Sequence, residues 1–232
     1  MNKIAVAMPG KMGDVLYCLT AVRWLCKKHN AVADFWTSEY CRPLKRLMEY
    51  QSCIDQFLIN EDYVMDHMGL GIQPWYLPVP NENEYEAVYQ AGIREVPQMY
   101  IPDHICKSLD IPMNQKVYYE YEDMATLDKE YIIVAPRGED FWTPLIKDLD
   151  NGPSKVNIVQ IGAKGDYVGD IGIDKTGLDF LETTAWIAKS KVFMGCASSQ
   201  LVIAEGFSMS RYMKPPLQNI LIGITEESLK HN

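Results

Sequence analysis

Four short segments of the chain hold residues whose types and placement suit chemistry. In the first, Pro9-Gly10-Lys11-Met12-Gly13-Asp14, an apolar run stops at Pro-Gly and an acid stands where an apolar-periodic stretch begins. Asp14 is there either a first-turn carboxylate that caps a helix, worth about 0.5–2 kcal/mol, or a general base that takes a proton from a substrate. On residue type alone the cap is the simpler reading. Lys11 and the backbone beside Gly13 can approach a substrate, and Lys11 reads equally well as a solvated turn. No GxGxxG is present, so Gly10 and Gly13 are only a weak dinucleotide signal. In the second segment, Arg137-Gly138-Glu139-Asp140-Phe141-Trp142, Arg137 suits a bidentate phosphate contact or is a surface loop arginine. The third, Gly162-Ala163-Lys164-Gly165-Asp166, has small residues that allow close backbone approach and a lysine that can pair with a phosphate; an ordinary turn explains it as well. The fourth, Gly195-Cys196-Ala197-Ser198-Ser199-Gln200, enters a helix. Its serines and free amides make an anion site, or a serine N-cap and nothing more.

These segments gain weight from the elements that must position them. Residues 3–8 (KIAVAM) read as a buried strand, and residues 14–28 carry Val15, Leu16, Leu19, Val22, Leu25 and Cys26 at helical spacing, ended by Lys27, Lys28 and His29. A second strand is expected at 31–36 and a second helix at 39–50, with Pro43 near its first turn. The proline-rich stretch 68–83 reads as a long loop, followed by a helix at 84–91 and a short helical piece at 103–109. The same grammar restarts after "YYEYEDMATLDKE" (118–130): a strand at 131–138, a helix at 143–149 and a strand at 156–163. Then come a helix at 177–190, a strand at 191–195, a loop entering a helix at 196–207 and a last strand at 219–224. Alternating strands and helices predict an α/β chain with parallel sheets. The expected division is into two Rossmann-like domains, residues 1–120 and 121–232. In open parallel sheets ligands bind at the carboxyl ends of the strands, and all four segments fall at such ends.

Composition narrows the classes of function. The formal net charge of −9 argues against broad binding of a phosphate backbone. The six cysteines form no CxxC pair or zinc spacing, and the four histidines are scattered, so no metal site is expected. This cysteine usage fits a reducing, cytoplasmic compartment. No signal peptide or membrane span is read from the chain.

Together these segments resemble the glycosyltransferase family nine heptosyltransferases. "MGDVLYCLTAVRWL" (12–25) is similar to the family's opening Gly-Asp and hydrophobic helix. "IDKTGLDFLETTAWIAKSKVFMGCASSQLVIAEGF" (173–207) is similar to its Gly-Lys-Thr-x-Leu-x-Glu-Leu segment, strand and nucleotide-binding helix. "YIIVAPRGEDFWTPLIKDL" fits the segment that opens the family's second half, with Trp142 in the place of its Lys-x-Trp tryptophan. The resemblance implies a GT-B fold and inverting, metal-independent transfer of a sugar from a nucleotide-diphosphate sugar, without a cofactor. Asp14 would then be the general base. Arg137, Gly162, Lys164, Gly195, Ser198 and Ser199 would bind the donor, and Lys11 and Gly13 a carbohydrate or other hydroxyl acceptor. A nucleic-acid acceptor is possible but disfavoured by the acidic balance. The chain departs from the family at Asp140, where a lysine is usual, and at Ala197-Ser198-Ser199-Gln200-Leu201-Val202, where the family has Asp-(Ser/Thr)-Gly-x-x-His. A donor other than ADP-heptose, or a different acceptor, is therefore expected. The alternatives are a non-catalytic nucleotide-sugar-binding module and a nucleotide-sugar epimerase or hydrolase.

Overall fold

The structure is a computed structural model. It describes residues 2–61, 63, 76–95, 97–124, 127, 129–136, 142–151, 157–169, 171–195, 198–210 and 218–221. The chain divides into two compact units, Met1–Glu120 and Tyr121–His231.

The first unit begins β1 (Asn2–Ala7), α1 (Met12–His29) and β2 (Ala31–Ser38). A 3₁₀ turn (Glu39–Leu44), α2 (Lys45–Glu49) and β3 (Ile54–Asn60) follow. A short 3₁₀ turn (Glu82–Glu84), β4 (Val88–Gln90) and α3 (Ile101–Ser108) complete it. All pairings are parallel, in the order β3-β2-β1-β4. Helix α1 forms because its apolar residues recur on one face, and Val15, Leu16, Leu19, Val22 and Leu25 are buried. Burying each stabilises by about 1.5–3 kcal/mol. The helix ends where Asn30 turns left-handed (φ 49°), a conformation asparagine tolerates.

Two expectations change here. The single helix expected over 39–50 is a 3₁₀ turn around Pro43 and then one short α-helix; proline has no N–H to give to a helical ladder. In place of the helix expected at 84–91 stand the end of the 3₁₀ turn and strand β4. Glu86 N–H donates to the Lys3 carbonyl, Ala5 N–H to Ala87 and Ala91 N–H to Ala7, so the open edge of β1 takes up this backbone as β4. Cross-links fasten β4 further: His29 at the end of α1 reaches Glu86 through Nδ1 (2.8 Å) and the Tyr89 hydroxyl through Nε2 (2.6 Å).

The second unit contains β5 (Tyr131–Ala135), α4 (Trp142–Asp150), β6 (Asn157–Gly162) and β7 (Ile173–Thr176). It ends with α5 (Phe180–Lys189), β8 (Val192–Gly195), α6 (Ser199–Ser210) and β9 (Gln218–Leu221). The sheet is again parallel, in the order β7-β6-β5-β8-β9. Helix α5 starts on a reciprocal cap: Glu182 N–H donates to Asp179 Oδ1 (2.9 Å) and Asp179 N–H to Glu182 Oε2 (3.2 Å).

Side chains explain why the first unit ends at Glu120. Buried Gln51 accepts from Glu120 N–H (2.9 Å) and donates to the Glu120 carbonyl (2.9 Å), while the Ser52 N–H and hydroxyl donate to the Glu120 carboxylate. Arg23 donates to Gln51 and to the Tyr118 carbonyl and lies 3.8 Å from the centre of the Tyr118 ring. A few residues on, Lys189 donates to the Met124 carbonyl and pairs with Asp123, which fastens that stretch to the second unit.

The five described cysteines are free. Burial pushes the Cys26 thiol up to about 12 and those of Cys41, Cys53 and Cys106 up to about 11, so all four stay protonated at neutral pH. Among the described residues, no helix is long and apolar enough to cross a membrane.

Candidate functional site

In the first unit the residues after β1 are held from three sides. Met8 N–H donates to the Trp36 carbonyl (2.9 Å), Thr37 Oγ1 donates to the Met8 carbonyl (2.8 Å), and Cys41 Sγ to the Gly10 carbonyl (3.3 Å). Pro9 and Gly10 are buried, and Lys11 emerges exposed just before α1. Asp14 is the third residue of that helix, and its Oδ2 accepts the Lys11 N–H at 3.0 Å. This is half of a capping box: a lysine at the cap has no side-chain oxygen with which to return the bond. The carboxylate also lies where the helix dipole favours negative charge. Asp14 is therefore a cap, and the capping bond fixes it in place. Gly13, beside it in the first turn, is half-buried like Asp14.

The strand order shows what that position faces. The chain leaves β1 toward β2 and later returns to pair β4 on the other side of β1. The carboxyl ends of β1 and β4 are thus a topological switch point, where open α/β sheets bind ligands. Lys11, Gly13 and Asp14 stand at that end of the sheet.

The second unit repeats the geometry. Strands β6 and β8 both flank β5, so the carboxyl ends of all three strands neighbour one another. Arg137, which follows β5 in the sequence, lies outside the described residues. The chain after β6 makes a closed turn: Ala163 N–H donates to Asp166 Oδ2 (2.7 Å) and Asp166 N–H to the Ala163 carbonyl (3.0 Å). Gly162 is required by that turn, because with φ at 151° a Cβ would stand 2.5 Å from Asp166 Oδ2. Lys164 is exposed at the tip. Gly195 ends β8, where a Cβ would press to 3.1 Å on Ala135 and the Phe193 ring. Its small size lets β5 and β8 approach at their carboxyl ends. Ser198 caps α6, accepting the Leu201 N–H on Oγ (3.3 Å) and the Val202 N–H on its carbonyl (3.2 Å). The remaining first-turn amides begin at Ser199.

Gln160 is a residue the sequence reading does not single out. Fully buried in β6, it accepts the Val168 N–H (3.0 Å) and donates to the carbonyls of Val168 (2.9 Å) and Ile171 (2.7 Å). One side chain thereby ties down the loop that carries Lys164. Among the described residues no group of His, Cys, Asp and Glu could hold a metal ion.

No protein-family model matches the sequence, and neither does any curated protein sequence. Solved structures of similar fold exist. It matches the iron-containing dodecameric glycosyltransferase TibC from enterotoxigenic E. coli H10407 with a TM-score of 0.63 at 13% identity, over 96% of this chain and 65% of that one. It also matches the family 9 glycosyl transferase from Veillonella parvula DSM 2008, with a TM-score of 0.62 at 14% identity, over 99% of this chain and 87% of that one. The E. coli heptosyltransferase WaaC with ADP-2-deoxy-2-fluoro heptose gives a TM-score of 0.59 at 12% identity, over 98% of both chains. The fold is that of the family nine heptosyltransferases. The sequence resemblance that rests on segments 12–25 and 173–207 therefore has a counterpart in three dimensions. At these identities the likeness to the heptosyltransferases is one of fold. The chain spans 65% of the length of TibC.

Proposed function

We propose that this protein is a glycosyltransferase of the two-domain GT-B type that moves a sugar from a nucleotide-diphosphate donor to an acceptor hydroxyl with inversion. The observation that carries this reading is the placement of Asp14: a carboxylate fixed by the Lys11 N–H at the switch point of the first sheet, in a fold that heptosyltransferases share. Fold alone assigns no chemistry, so the reading stands or falls with this site.

In the proposed reaction Asp14 accepts the acceptor's hydroxyl proton as that oxygen attacks the anomeric carbon. The bond from that carbon to the nucleoside diphosphate breaks, and a single displacement inverts the centre. The second unit binds the donor. Lys164, the amides at the start of α6 around Ser198 and Ser199, and Arg137 compensate the charge that develops on the leaving diphosphate. On the donor side, Gly162 allows the turn that carries Lys164, and Gly195 lets β5 and β8 close together where the donor binds. Lys11 and Gly13 border the acceptor. No metal or cofactor is assigned a role, and a cytoplasmic location is part of the proposal.

A thermal-shift series with nucleotides and nucleotide sugars tests donor binding. A ligand at about 100 times its dissociation constant stabilises by about 2.7 kcal/mol, an upward shift of several degrees. A melting temperature indifferent to every nucleotide and nucleotide sugar refutes the reading. A shift without product in any donor–acceptor pairing marks a non-catalytic binding module. Consumption of donor without an acceptor marks an epimerase or hydrolase.

A further inference from the structure

One turn along α1 from Asp14 stands Tyr17, which with the Tyr100 ring it meets is used by neither the cap nor the proposed proton transfer. Tyr17 follows Asp14 by three residues on α1, so the two side chains are neighbours along one side of the helix, with Cβ atoms about 5–6 Å apart. The Tyr17 ring meets Tyr100 edge to face, with centroids 5.8 Å apart and planes at 73°. Tyr100 precedes α3, which packs on α1, and it ends the segment that leaves β4 at the same carboxyl edge of the sheet as Lys11–Asp14. Tyr100 and its neighbour Met99 remain 38% and 39% exposed. Two rings locked against each other at the rim of a switch point form a pre-ordered apolar surface next to the candidate base.

We propose that Tyr100, supported by Tyr17 and Met99, is the platform for the acceptor, and that the acceptor unit placed there is an uncharged sugar lying with its C–H face on the tyrosine ring. This rests on the glycosyltransferase reading above. The ring face carries the negative side of the aromatic quadrupole and attracts the weakly positive hydrogens of a sugar's C–H face, while the sugar's rim hydroxyls point sideways. The spacing from Tyr17 to Asp14 is that of adjacent helical side chains, so a ring resting on the pair presents a hydroxyl toward the carboxylate. The charges nearby point to a neutral acceptor. Between Ala91 and Tyr100 the one basic residue, Arg94, is followed directly by Glu95, and the one lysine at the start of α1, Lys11, stands three residues before Asp14. No cluster of positive charge in this stretch selects a phosphorylated or acidic sugar.

Saturation-transfer NMR on the full chain tests this, with the methyl glycosides of glucose, galactose and mannose as probes and N-acetylneuraminic acid as the acidic comparator. At least one neutral glycoside should be saturated most strongly at its ring C–H protons. Its affinity should hold in Tyr100→Phe and fall about tenfold in Tyr100→Ala, with melting temperature showing that the exposed substitution leaves the fold intact. Met99→Ala should give a smaller loss. Unchanged binding in Tyr100→Ala, no saturation of any neutral glycoside, or preferred binding of the acidic sugar overturns the proposal. The nucleotide thermal shift, run on the same variants, keeps the two questions apart. A nucleotide shift without glycoside binding removes the platform and leaves the transferase reading. Glycoside binding without any nucleotide shift removes the transferase reading itself.

Discussion

Asp14→Asn is expected to lower sugar transfer by about 10²–10⁴-fold, the range of a removed general base, and to leave nucleotide binding as it was. The substitution separates the two roles of this residue. Asparagine keeps the shape of the side chain and an oxygen that accepts the Lys11 N–H, so the 3.0 Å capping bond survives. What remains lost is the charge at the helix N-terminus, about 0.3–1 kcal/mol, and the ability to take a proton. The nucleotide-induced shift in melting temperature should match that of the original protein, because the proposed donor residues all lie in the other unit. Asp14→Ala removes the cap as well and should add a stability loss of about 0.5–2 kcal/mol to the same catalytic defect. Measured kcat values with a working donor and acceptor decide the matter. Full turnover in Asp14→Asn would reduce Asp14 to a cap.

The sequence reading and the structure part company at the sheet edges. Strands β1, β5, β6 and β8 are short apolar runs, and each is legible because a strand buried on both faces must be apolar almost throughout. Strands β3 and β7 carry Asp55, Gln56, Asp174 and Lys175, because an edge strand keeps one side in water. In β3 the two buried residues, Ile54 and Phe57, stand three apart rather than two, and β7 has only four residues, so neither registers as a period of two. Strand β4, with three residues after an acidic stretch, exists because β1 offers it a ladder, and that partner lies more than eighty residues away along the chain. Local propensity cannot contain such information.

The candidate site divides in the same way. That Gly13-Asp14 and Ser198-Ser199 come just after strands was legible, since both follow apolar runs. What their side chains do there was not. Asp166 and Ser198 spend their oxygens on backbone N–H groups, and Gly162 is small because a carboxylate stands where its Cβ would be. Gln160 was invisible for another reason: a glutamine inside a strand reads as a surface position until the loop that folds back over it is known.

That glutamine gives the largest expected effect on stability. Gln160→Leu keeps roughly the volume of the side chain but leaves the Val168 N–H and the carbonyls of Val168 and Ile171 without their partner. A buried unsatisfied group costs about 1–3 kcal/mol, so a loss of about 2–5 kcal/mol is expected once the loop has relaxed. Chemical denaturation should show it as a fall in the midpoint of the second unit's transition. Because the freed loop carries Lys164, the nucleotide-induced thermal shift should shrink too. Gln160→Glu separates charge from shape. Its carboxylate still accepts the Val168 N–H, but at neutral pH it sets a charged oxygen against two carbonyl oxygens and is destabilising. Protonation restores one donor, so burial and these carbonyls hold the carboxyl above its unfolded value of about 4.3. The stabilisation gained by protonation is present at low pH and is lost as pH rises through the raised folded value. The stability difference between Gln160→Glu and Gln160→Leu should therefore move in favour of Gln160→Glu as pH falls. If the difference is flat with pH, the side chain at position 160 is not meeting those carbonyls; if Gln160→Leu melts like the original protein, the loop is held by other bonds.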